Sequence, residues 1–326
     1  MEDDRFLKDF SREPRPEFAR SLRAKLRAGE EREERRGFVF RPAFALAAAG
    51  LAVIGLFSVP AVRVSAQALL DMFRVRNFAA VPFDASRMEK LQALKAGGDD
   101  QAMMIFDHQE IQKPTETKVS SVSEASALAG TPVRTPGFLP NGFSVDQIEV
   151  NSEGRMRLTV DAAKLQAVLQ TLDLRDVRVP AGLDGQPIEV HMWPVVDQSW
   201  IHTNGGKLHL VQSRSPEIGM RSGVDLRELG EMGLRILGLD ASEAKRVAAS
   251  IDWANTLVVP VPAGASSFRE VTVNGNKGLM VEMTHSTKDN RRRQGAVVMW
   301  SEGDQVFALS GSSSDGSLIQ IAESLK

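Results

Sequence analysis

The sequence predicts an α+β protein: a single N-terminal transmembrane helix followed by an antiparallel-sheet domain with packed helices. Three observations carry that expectation. Residues 42–62 contain no Asp, Glu, Lys, Arg, His, Asn or Gln. Beyond them, short runs rich in β-branched and apolar residues recur between Gly, Pro, Asn and Asp punctuation, the pattern of strands and turns. Between those runs lie apolar stripes at helical spacing, two of them introduced by Asp with Glu three positions later.

Residues 1–41 are densely charged and poor in apolar side chains. Two amphipathic pieces stand out, one carrying Phe6, Leu7 and Phe10, the other Phe18, Leu22 and Leu26. The second spaces its apolar residues at i, i+4 and i+8, on one helix face, and Pro16 stands where a first turn tolerates proline. So short a segment buries too little surface to fold alone. Two readings remain: a solvated basic tail, or a cytoplasmic helix that lays Phe18, Leu22 and Leu26 into a partner's groove.

At about 1.5 Å per residue, a helix over residues 42–62 covers roughly 30 Å, the hydrocarbon thickness of a bilayer. A soluble core helix rarely stays apolar around its whole circumference for that length, because one face meets water. Gly50, Gly55 and Pro60 are better tolerated in a membrane than in water. The preceding flank holds Arg23, Lys25, Arg27, Arg32, Arg35, Arg36 and Arg41, the following one only Arg63, Arg74 and Arg76. This asymmetry places the N-terminal side in the cytoplasm. Val64-Ser65-Ala66 offers small residues for signal cleavage, but the leader would be about 66 residues with a long charged n-region, so an uncleaved anchor is expected.

Residues 63–82 read as an amphipathic helix beside the bilayer, with Leu69, Leu70, Phe73 and Phe78 on its apolar side. The rest of 63–114 reads as linker, marked by Gly97-Gly98-Asp99-Asp100. Residues 115–326 form the expected extracytoplasmic domain. A short helix is predicted at 123–130, then strands at 143–150 and 155–160 joined as a hairpin through Asn151–Gly154. Asp161 caps a helix with Leu165, Val168, Leu169 and Leu172 in a stripe. Strands follow at 187–194 and 207–214. Asp225 with Glu228, and Asp240 with Glu243, start two helices. Strands at 256–262, 269–275, 277–285, 296–303 and 305–312 form a meander turning at Asn274-Gly275 and Gly303-Asp304. A helix over 317–325 closes the chain with Leu318, Ile321 and Leu325 on one side. Together these predict a twisted antiparallel sheet with helices on one face.

The chain has 326 residues, a net charge of −2, no cysteine and no tyrosine. Disulfides, thiolate metal sites and a cysteine nucleophile are therefore excluded, and no basic footprint for direct nucleic-acid contact exists. The P-loop spacing is missing. GSSSDG at 311–316 lacks GxSxG spacing and reads as the start of a helix; a hydrolase would rest on Ser313 and Asp315 alone. His191, His202 and His209 lie in strands without metal-ligand spacing, and Glu189, Asp197, Asp225 and Glu282 offer no visible acid–base pair. Arg291-Arg292-Arg293 reads as a solvated hairpin loop, or as a contact for anionic headgroups or cell-wall polymer. No metal, cofactor or catalytic residue is predicted.

The order of parts resembles transmembrane anti-sigma-factor-like proteins of bacteria, through PRPEFARSLRAKL at 14–26 and AQALLDMFRVRNFAAVPF at 66–83. The stretches TPGFLPNGF, IDWANTLVVPVP and WSEGDQVFALSGSSSDGSLIQIAESL are similar to a domain of unknown function found in sporulation-related and lipoprotein-sorting-like envelope proteins. The zinc-binding anti-sigma module uses His and Cys ligands; this chain has no cysteine and no histidine before His108. The resemblance thus implies a single-pass membrane regulator at the cell membrane, with no catalytic residues and with any sigma-factor contact falling to Phe18, Leu22 and Leu26. The alternative is an envelope protein with an inert N-terminal anchor whose outer sheet binds lipid or a cell-wall ligand.

Overall fold

The computed structural model describes residues 75–84, 86–87, 106–180, 182–220, 225–262, 266–286, 292–311 and 315–326. The chain begins with β1 (Asn77–Phe83), β2 (Phe106–Gln112) and β3 (Glu116–Val119), followed by α1 (Val122–Ala129). Next come β4 (Phe143–Asn151), β5 (Gly154–Val160), α2 (Ala162–Thr171), β6 (Pro187–Met192), β7 (Val195–His202), β8 (Lys207–Arg214) and β9 (Glu217–Met220). Helices α3 (Leu226–Leu237) and α4 (Ala241–Ser250) precede β10 (Thr256–Pro262), β11 (Ser266–Val273), β12 (Asn276–Ser286), β13 (Arg292–Glu302) and β14 (Gln305–Gly311), and α5 (Asp315–Glu323) ends the body.

Several of these elements start as local chemistry demands. Asp225 accepts hydrogen bonds from the backbone N–H of Arg227 and Glu228, and Asp240 from that of Glu243, satisfying donors that the first helical turn leaves free. Asp161 does the same for Lys164 at the start of α2. The turn between β11 and β12 puts Asn274 and Gly275 at φ 47° and 80°, the mirror-image geometry that matches strand twist.

The strands form three sheets: eight strands in the order β11-β12-β13-β14-β8-β7-β4-β3, four in the order β2-β5-β6-β9, and the pair β1-β10. One face of the eight-stranded sheet carries Trp200, Leu208, Leu210, Met280, Val298, Trp300, Phe307 and Leu309, against which α5 lays Leu318, Ile321 and Ala322. Towards β4 and β7 the sheet also buries Ile148, Val150 and Val196, packed with Ala125 and Ala129 of α1. The apolar face of the four-stranded sheet (Leu158, Val160, Ile188, Val190, Ile218, Met220) shares a larger core with α2, α3, α4, β1 and β10. There Gly230 lets Trp253 approach: a Cβ on residue 230 would stand 2.2 Å from Trp253 Cζ2.

The α+β expectation is overturned. Strands make up 46% of the described residues and helices 24%, so the body is mainly β, in three sheets rather than one. Its helices have 8 to 12 residues, each just long enough to cap part of a core. Among the described residues no helix is long and apolar enough to cross a membrane, and residues 42–62 lie outside them. Residues 77–82, expected to end a helix, instead belong to a strand paired in parallel with β10, and the expected linker contains β2. β10 accordingly stands apart from the β11–β14 meander. β4 and β5 do not form a hairpin: β4 pairs with β3 and β7, β5 with β2 and β6.

Repeated exchange of the chain between sheets is the main feature of the topology. The chain passes between the two larger sheets at Lys113–Thr115, Ser152–Glu153, Trp193–Pro194 and Ser215–Pro216. The first two passages are tied: Thr115 N–H donates to Ser152 Oγ at 2.9 Å, and Ser152 N–H to Thr115 O at 2.9 Å.

Candidate functional site

The described histidines do not converge. His202 sits on the turn side of β7, its Nε2 3.1 Å from Asn141 O and its ring edge-on to Phe143. His209 on β8 has Nδ1 3.5 Å from Asp197 Oδ1, while its Nε2 is buried without a hydrogen-bond partner. Ser199 and Ser310 are its cross-strand neighbours, but Ser199 Oγ donates to Gln147 O at 3.4 Å instead. Among the described residues no group of three His, Asp or Glu side chains is placed to hold a metal.

His191, on β6, has the most developed surroundings. Its Nε2 lies 2.7 Å from Glu153 Oε1 and its Nδ1 3.0 Å from Glu217 Oε2, the two carboxylates standing on opposite sides of the ring. They cannot share one ion. Glu153 Oε1 also accepts from Arg155 Nε at 2.9 Å and Nη2 at 2.8 Å. The Arg155 guanidinium holds the Glu153 carboxyl below its ordinary value, with burial opposing and the His191 contact assisting. The side chains of His191 and Glu217 are 15% and 11% exposed, so their interaction is weakly screened by solvent.

The cluster extends through Trp193, whose ring centroid is 4.3 Å from that of His191. The Arg214 guanidinium stacks 3.9 Å from the same indole centroid and donates through Nε to Asp304 Oδ2 at 3.0 Å. Glu153 and Trp193 stand in two of the four passages between the larger sheets, and Glu217 directly follows a third. One residue beyond Arg214, Ser215 is buried; its N–H donates to Asp304 O at 2.7 Å, and its Oγ accepts the Val75 N–H at 2.7 Å. Arg76 and Asn77 donate to Asn255 O, and Arg76 O accepts from Ser301 Oγ at 3.0 Å. The stretch leading into β1 is therefore fastened close to the histidine cluster along the chain.

The other sequence-derived candidates are dispersed. Phe18, Leu22, Leu26 and Ser313 lie outside the described residues, as does Arg291. Arg292 and Arg293 open β13, in register with Ser286 and His285, so they are strand rather than loop. Glu189 pairs with Arg157, Glu282 accepts from Ser267, and Asp225 is a helix cap. A depression lined in part by Val133, Pro194 and Gln212 has a volume of about 10 Å³, far below the roughly 300–1,000 Å³ of ordinary ligand sites. Sequence reasoning missed Glu153 and Glu217, which stand 38 and 26 residues from His191 along the chain, and with them Arg214 and Ser215; Trp193 is only two residues from His191 but belongs to no motif. No family model matches the chain, and no curated protein matches it.

Proposed function

We propose that this chain is a single-pass membrane regulatory protein of the anti-sigma type. In this reading residues 42–62 contact the bilayer, the body from Val75 onward faces the extracytoplasmic side as a sensor, and residues 1–41 hold a cytoplasmic partner through Phe18, Leu22 and Leu26. The observation that carries it is the order of parts: a short basic amphipathic segment, an uncharged stretch of bilayer length, then a large folded body. The fastening of Val75–Asn77 to Ser215, Ser301 and Asn255 supports it, since a sensor needs a fixed attachment to the segment that carries its signal.

The test is affinity capture from native cell extract with the tagged full-length chain in detergent, beside a Phe18→Asp/Leu22→Asp variant. Recovery of a sigma factor by the native chain and its loss with the variant is the expected result. Equal recovery by both, or none by either, overturns the partner reading and leaves the envelope protein that binds lipid or a cell-wall ligand.

A further inference from the structure

We propose that His191 is a proton-operated clasp at the passages between the two larger sheets, closed while the imidazole is protonated and released when it is neutral. Glu153 Oε1 already receives two guanidinium N–H groups and is an acceptor only, so His191 Nε2 must donate to it. Glu217 Oε2 at 3.0 Å from Nδ1 is likewise an acceptor while ionised, so Nδ1 must donate as well. A neutral imidazole has one N–H and one lone pair, and cannot satisfy both. Only the imidazolium closes both contacts.

The charges that face the ring agree. Arg155 comes from β5, Glu153 from the β4–β5 passage and Glu217 from β9; with His191 protonated these four groups sum to zero, and without the proton one negative charge is unbalanced. Glu189, on the same strand, is neutralised by Arg157. Arg214, reaching over Trp193 from the end of β8, is neutralised by Asp304.

The consequence follows from chain connectivity. Glu217 lies two residues from Ser215, whose Oγ holds the Val75 N–H. Release of Glu217 loosens the β8–β9 passage and with it the fastening of the segment that leads into β1. The clasp belongs to the described body alone, so it stands whether or not residues 1–41 bind a sigma factor.

Hydrogen exchange of the full-length chain in detergent, at about pH 5.5 and about pH 8.5 and corrected for intrinsic rates, spans the range in which imidazole changes charge. Exchange of segments 75–83, 152–157 and 217–220 should accelerate about tenfold at the higher pH, the loss of one charge-assisted hydrogen bond, while β12–β14 stays unchanged. His191→Gln should abolish that difference and His209→Gln should keep it. Glu217→Gln should hold the segments protected at the higher pH, because its amide N–H donates to the lone pair of Nδ1. Equal protection of the native chain at both values, a difference that survives His191→Gln, or an unprotected Glu217→Gln each overturns the clasp.

Discussion

Glu153 shows how much one side chain contributes when several partners converge on a single oxygen. Its folded carboxyl titrates below the ordinary value of 4.5, through Arg155 first, with His191 adding to the pull against burial. A depressed carboxylate stabilises the fold above its unfolded value, and that stabilisation disappears as pH falls through the folded value. Glu153→Gln should therefore flatten the acid side of the stability profile. Urea midpoints measured from about pH 6 down to about pH 3 should fall less steeply for the variant than for the native chain. Parallel slopes would show that Arg155 and His191 exert no net pull on this carboxylate. The residues that cap helices are legible in the sequence, because Asp161, Asp225 and Asp240 act through backbone N–H groups two or three positions away. Glu153 and Glu217 are not, because their partner stands 38 and 26 residues away along the chain.

Among the elements, α5 is the simplest case of a helix that exists to cover a sheet. Leu318 and Ile321 are fully buried against strands β7, β8 and β11–β14, in the cluster that also holds the stacked pair Trp300 and Phe307, 5.1 Å apart. Leu318→Ala leaves a cavity that the sheet behind it cannot collapse into, and should cost about 2–5 kcal/mol in denaturant unfolding. A loss near zero would mean that the helix is held by its ends alone. Leu318 and Ile321 are readable from helical spacing, as are α2, α3, α4 and the β11–β14 meander; Leu325, expected in the same stripe, lies past the helix in a bridge to Pro136. Other elements give weaker signals. β7 buries Gln198 and Ser199 beside Val196 and Trp200, which hides the alternation of a half-buried strand. β1 carries two alanines and a proline, and gains its order from parallel pairing with β10, a long-range contact with no local mark. Asn151–Gly154 has the composition of a hairpin turn, yet the chain there changes sheets, so turn chemistry fixes the two strands but not their partners.

For the whole body, the four passages between the larger sheets decide how it comes apart. β2, β5, β6 and β9 of one sheet alternate along the chain with β3, β4, β7 and β8 of the other, so neither sheet is a continuous segment that detaches alone. The hydrogen bonds of Thr115 with Ser152, and the Glu153–His191–Glu217 contacts, join these passages side by side. The core with α3 and α4 and the core under α5 should consequently unfold together, although their apolar clusters are separate. The discriminating measurement places the perturbation in one core and reads the other. In Leu318→Ala, the slowest amides of α3 and α4 should lose the same free energy of protection as those of β13 and β14, because both exchange only through global opening. If α3 and α4 keep native protection while β13 and β14 lose theirs, the passages act as hinges between two independently stable cores. A clasp at His191 would then regulate the angle between two cores rather than the stability of one.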